Sequence, residues 1–182
     1  MITCASALVL LPQPEVALCQ WMKYFRPCSR LIIDATHPRA LLPGMGLEHV
    51  GRRLDLPVPS HRDAFKQPKD LATMMQAAGM TRTTLTRMSQ LSSRDGSHDL
   101  QAFVLSDDDE PPTSSTYTID DARPVFDAQV NGRFGACTAK EPSRCQAWKL
   151  FEKEFTELAD DEGIINEVDE VFVGISSAPK VY

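Results

Sequence analysis

The sequence predicts an α/β fold, a sheet with parallel strands and helices on its faces, and three observations predict it. Residues 2–10 and Leu31-Ile32-Ile33 are short apolar runs free of charge, the pattern of strands buried on both faces. Other segments repeat apolar residues at i, i+3 and i+4 and are opened by proline or closed by glycine, as helices are. The closing stretch EVDEVFVGIS alternates with period two, which marks a terminal strand. Strand and helix patterns following one another in this way indicate an α/β chain.

Each element has its own justification. Residues 2–10 read as a buried strand running into a turn at Leu-Pro-Gln-Pro. Pro14 suits the first position of a helix with Glu15 in its first turn, and Leu18, Trp21, Met22 and Phe25 form one apolar face before Pro27. After the loop RPCSR comes the strand Leu31-Ile32-Ile33, with Asp34-Ala-Thr-His-Pro where it should end. GMGLEHVGRRL resumes helix, with Leu47, Val50 and Leu54 on one side. PKDLATMMQAAG has Pro68 at its start and Gly79 just past its end, with Leu71, Met74, Met75 and Ala78 as its buried side. TRTTLTRMSQL has strand propensity. SSRDGSH and SDDDEPPTSS then break the rhythm, and the acids and prolines of 106–115 predict a solvated, mobile loop. TIDDARPVFDAQV is helical in part, limited by Pro124. The strongest helix is PSRCQAWKLFEKEFTELADDEG, with Ser143 as cap, Trp148, Phe151, Phe155 and Leu158 along one face, and Gly163 at its end. Aromatic stripes at helical spacing are usually core, and this one is read so.

Composition excludes several functions. At 182 residues the chain suits a single domain, 1–182. A net charge of -6 with scattered basic residues argues against a nucleic-acid backbone or an anionic membrane as partner. The opening apolar run lacks a basic n-region, and Pro12 and Pro14 stop it short of the roughly 20 residues a membrane helix needs. Five cysteines without a C-x-x-C point to reduced thiols in a cytoplasmic protein. The dispersed His37, His49, His61 and His98 suggest no metal site.

Together, ITCASALVLLPQPEVAL, WMKYFRPCSRLIIDATHPR, GMGLEHVGRRL and EVDEVFVGI resemble the second half of a class I S-adenosylmethionine-dependent methyltransferase of the kind abundant in fungi. The resemblance implies a partial Rossmann-like sheet: a fourth and fifth parallel strand at residues 2–10 and 31–33, then an antiparallel C-terminal pair made by TRTTLTRMSQL and EVDEVFVGIS. FRPCSRLII stands where the family carries a Leu-x-Pro-Gly-Gly turn, with Cys28 and Ser29 in place of the glycines. No glycine-rich turn of the E/D-x-G-x-G-x-G type occurs, and Gly44-Met-Gly46 is a helix entry. The resemblance therefore implies an N-terminally shortened domain, impaired or inactive alone, whose strand 2–10 exposes an unpaired edge suited to association with itself or another chain.

Ligands in open α/β sheets sit beyond the carboxyl ends of the strands. By the resemblance, Cys4, Ala5 and Ser6 border the methionine and methyl group of S-adenosylmethionine, and the acceptor is a small molecule. At the second strand end, His37 is a candidate general base for a hydroxyl acceptor, oriented by Asp34, with Arg39 beside them. The competing interpretation makes Asp34 a turn cap and His37 a solvent-facing residue. Two other functions compete with methyl transfer: a non-catalytic partner subunit docking another α/β chain through its strand edge, and a fragment of a nicotinamide-dependent oxidoreductase. The lack of a Tyr-x-x-x-Lys pair weakens the latter.

Overall fold

The computed structural model describes residues 1–56, 64–89, 103–132, 140 and 143–179; His61, His98, Cys137 and the SSRDGSH stretch lie outside them. Its contacts divide the chain into two compact units, Met1–Pro38 with Ser60–Pro112 and Asp169–Tyr182, and Arg39–Pro59 with Thr113–Val168.

The first unit is a five-stranded sheet with helices. Its strands are β1 (Ile2–Cys4), β2 (Arg30–Thr36), β3 (Thr81–Met88), β4 (Val104–Leu105) and β7 (Val171–Ser177), in spatial order β1-β2-β7-β3-β4. β1 and β2 run parallel, whereas β7 is antiparallel to both β2 and β3. This is the order the resemblance implies, a parallel pair followed by an antiparallel C-terminal pair. Helix α1 (Pro14–Met22) starts on its proline, and α3 (Pro68–Ala77) starts on Pro68. At α3 the backbone N–H groups of Lys66 and Gln67 both donate to Asp70 Oδ2, satisfying donors that the helix leaves unpaired.

Alternation along β2 and β7 decides which side is core. Leu31, Ile33 and Ala35 of β2 and Phe172 of β7 are buried with Leu18 of α1 and Leu71 and Met75 of α3. Ile32, Asp34 and Thr36 take the opposite face. Gly174 belongs to the core face, where a Cβ would stand 2.6 Å from Met75 Sδ and 3.3 Å from Leu71 Cδ2. Only glycine lets α3 lie this close to β7.

The structure corrects several element boundaries, among them the end of the strongest helix, which stops at Glu157 and not at Gly163. The run 2–10 is not one strand: β1 ends at Cys4, Ser6 turns at φ 52°, and Leu8–Leu10 makes a single 3₁₀ turn with Leu8 and Val9 buried. An apolar run specifies burial, and burial does not require extension. β2 continues to Thr36, so Asp34 lies within the strand and not at its end. EVDEVFVGIS is divided between two strands, β6 (Ile164–Val168) and β7. Thr113–Ser115, read as loop, opens strand β5 (Thr113–Thr118).

At the RPCSR turn Cys28 adopts φ 64°, the left-handed conformation that a glycine would take without cost. A side chain held there costs about 1–2 kcal/mol, partly offset for glycine by greater freedom in the unfolded chain. Cys28 is exposed. Cys28→Gly is therefore expected to raise unfolding free energy by about 0.5–1 kcal/mol in urea, whereas Cys28→Val lowers it.

The second unit packs α2 (Leu42–Arg53), α4 (Ala122–Asn131) and α5 (Ser143–Glu157) with the antiparallel pair β5 and β6. Its core holds Leu42, Leu47, Val50, Phe126, Phe151, Phe155 and Ile165. The aromatic stripe of α5 is core as expected: Phe151 and Phe155 are fully buried, and the partly buried Trp148 packs edge-on against Phe126. Glu167 of β6 is buried too. Its Oε2 accepts the Leu42 N–H at the start of α2 at 3.0 Å, and its Oε1 accepts the Ser114 hydroxyl at 3.0 Å. A carboxylate there also meets the positive end of the helix dipole.

Candidate active site

The carboxyl ends of β2 and β3 and the amino end of β7 meet at one edge of the first unit's sheet. Register places Ala35, Phe172 and Arg87 in one cross-strand row, because Phe172 is paired with Ala35 on one side and with Arg87 on the other. Beyond this row the backbone N–H of His37 donates to the Glu170 carbonyl at 3.1 Å. The His37 ring then packs edge-on against Phe172, with centroids 5.5 Å apart at 74°. His37 thus continues the core face of the sheet past its end.

A cleft of about 460 Å³ opens here. His37, Glu170 and Phe172 line it, with Lys66 and Pro68 at the start of α3 and Asp107 on the segment after β4. Glu170 is 1% exposed, and Arg87 beside it is 14% exposed. Nε of Arg87 donates to Oε1 of Glu170 at 2.5 Å and Nη2 to Oε2 at 3.2 Å, a bidentate pair. Nη1 also donates to the carbonyls of Ser106 and Asp107 at 2.7 and 3.1 Å, and Nη2 to that of Asp109 at 3.1 Å. All five guanidinium N–H groups are thereby used. The Glu170 hydrogen bond pushes Arg87 above its already high range. The acidic segment is further closed on itself, since the Ser106 N–H donates to Asp109 Oδ2 at 2.7 Å and holds that carboxyl below the usual range.

The sequence-derived candidates are distributed differently from expectation. Asp34 does not stand with His37: strand alternation puts it on the other face, where its Oδ1 accepts the Ser6 N–H at 2.6 Å. A carboxylate that does stand near His37 is Glu170, with Oε2 3.9 Å from Nε2, contributed from 133 residues further along the chain. Arg39 donates through Nη2 to the Asn166 carbonyl in the second unit. Cys4, Ala5 and Ser6 do form the turn at the carboxyl end of β1. Burial, reinforced by the nearby Asp34 charge, pushes the Cys4 thiol up, so it stays protonated at neutral pH.

Glu170 and Arg87 carried one usable signal. An acid directly preceding the apolar run Val171-Phe172-Val173 must be paired or neutral if it is buried, and the partner is then a cation elsewhere in the chain. Which cation, only the strand order decides. Among the described residues no three His, Cys, Asp or Glu side chains form a metal-binding group, and no helix is long and apolar enough to cross a membrane.

No family model and no curated protein matches the chain. Among solved structures it is similar to a protein of Bacillus halodurans C-125 titled a "putative methyltransferase", at 13% identity and a TM-score of 0.45, over 98% of this chain and 68% of that one. It is also similar to the 4+2 cyclase SpnF, at 11% identity and a TM-score of 0.40, over 98% of this chain. The chain spans 49% of SpnF, about half its length. At these values the likeness assigns no role to any residue.

Proposed function

We propose that this chain carries the acceptor side and part of the donor side of an S-adenosylmethionine-dependent methyltransferase for a small molecule. The observation that supports it best is the sheet edge itself. The parallel pair β1-β2, extended by antiparallel β7 and β3, presents the Cys4–Ser6 turn and the His37 cleft at the carboxyl ends of its parallel strands, where such sheets bind ligands. The residues fit the methyl-bearing end of the cofactor: Asp34, held against the Ser6 turn, offers a negative charge to a sulfonium. No residue of the chain stands for the glycine-rich turn that would hold the rest, so turnover by these 182 residues alone is slow or absent. When bound, S-adenosylmethionine supplies an already activated methyl group, and transfer then needs mainly alignment. His37 accepts the proton of a hydroxyl acceptor that enters the cleft from the strand ends. The thiol of Cys4, being protonated, does not compete as a nucleophile.

The test is NMR titration of the Cys4, Ala5 and Ser6 amides with S-adenosylmethionine and with neutral S-adenosylhomocysteine. Saturable shifts are expected with both. Asp34→Asn should weaken the charged ligand about tenfold, as losing one charge-assisted contact does, while leaving the neutral one nearly unchanged. Silence of these amides in the folded chain would refute the reading.

The edge position of β1 favours one alternative. Among the described strands β1 pairs with β2 alone, so its other side offers main-chain groups to a further strand. A chain that serves as a docking subunit would associate through Ile2–Cys4, the part of 2–10 that is extended.

A further inference from the structure

We propose that Arg87 is a positioning residue for His37: by occupying Glu170 while it holds segment 106–110, it controls how much of the Glu170 charge reaches the imidazole. The inference rests on His37 facing the acceptor, as proposed above, but its test needs neither methyl donor nor acceptor.

The geometry makes His37 and Arg87 share one carboxylate. Glu170 Oε2 lies 3.2 Å from Arg87 Nη2 and 3.9 Å from His37 Nε2, the first within hydrogen-bond range and the second beyond it. The same guanidinium binds three carbonyls of segment 106–110. Docking of that segment and neutralisation of Glu170 are therefore one arrangement of one side chain. With Arg87 engaged, His37 faces a neutralised pair. With Arg87 withdrawn, it faces a bare, buried carboxylate within 4 Å, which favours the imidazolium and removes the lone pair a base needs. Among the described residues, the other charged groups lining the cleft are Lys66, Asp107, Asp109 and Glu110. Lys66 opposes the imidazolium and the three acids favour it. All four are exposed, and solvent screens them more than it screens Glu170. An acceptor or partner that draws 106–110 away from the cleft would thus also change the charge of His37.

The experiment follows the His37 Cε1–H resonance against pH in the full chain. Arg87→Gln is expected to raise the midpoint by about one pH unit or more. Arg87→Lys keeps the charge but engages one carboxylate oxygen and cannot span the carbonyls, so a smaller rise is expected together with faster amide exchange at Ser106 and Asp109. Adding Glu170→Gln to either variant should return the midpoint to the wild-type value or below. If Arg87→Gln does not fold, Arg87→Lys and its double variant decide. An unchanged midpoint in every folded Arg87 variant, or a rise that persists with Glu170→Gln, overturns the proposal. Neither result depends on whether S-adenosylmethionine binds at the Ser6 turn.

Discussion

Glu170→Ala should destabilise the sheet unit by about 3–5 kcal/mol in urea unfolding. The loss leaves a guanidinium that is 14% exposed without its counter-charge, inside a site where water cannot solvate it fully. Removing both partners tests that cause. Arg87→Met with Glu170→Ala takes out both charges at once, and the carbonyls of Ser106, Asp107 and Asp109 lie on exposed residues where water replaces the lost donors. The double variant is expected to recover much of the loss, giving a coupling of a few kcal/mol in a double-mutant cycle. A cost below about 1 kcal/mol for Glu170→Ala would place the pair with ordinary surface ion pairs. The sign with pH follows from Arg87. Its protonated form is favoured in the fold, so its share of stability is fully present below its ordinary range and is lost only as pH rises through the higher folded value. The effect should be flat across neutral pH.

Phe151→Ala should cost the second unit about 3–5 kcal/mol. The ring is fully buried between Phe126 and Phe155, at centroid distances of 5.4 and 5.5 Å. Opposite it, a Cβ on Gly46 would lie 3.0 Å from the ring edge, so α2 has approached as far as its backbone allows. Helices already in contact cannot close over the space a benzyl group leaves, and the cavity term adds to the lost transfer free energy. Phe151→Leu, which fills most of that volume, should recover at least half of the loss. Hydrogen exchange of α2 and α5 amides gives the local readout: protection should fall in both helices for Phe151→Ala. Unchanged protection in α2 would mean that the ring is not what joins the two helices.

Phe151 and its neighbours were legible from sequence because helical spacing and aromatic size are local properties. So were α3, written between Pro68 and Gly79, and the antiparallel pair made by β3 and β7. The opening run was legible only as something buried: Ile2–Cys4 extends, and the Ser6 turn folds the rest into a 3₁₀ turn around Leu8 and Val9. The strand pair β5 and β6 escaped because its polar, Thr-rich first strand abuts the acidic run and lacks a strong apolar alternation.

The candidate site divides along the same line. The carboxyl end of a β-strand can be found from pattern, which is how Cys4–Ser6 and His37 came to be singled out. That Glu170 stands near His37 could not be found in this way, because the period of two sent nearby Asp34 to the other face while the strand order set the residue before β7 beside the imidazole. Likewise nothing local in the acidic run announces that its backbone carbonyls, rather than its side chains, bind a buried arginine. By itself the sequence determined the buried aromatic stripe of α5, the helix between Pro68 and Gly79, and that the sheet is mixed. Only the tertiary structure decided which charges share an enclosed space, because strand order and register, not distance along the chain, set how close two ionised groups stand.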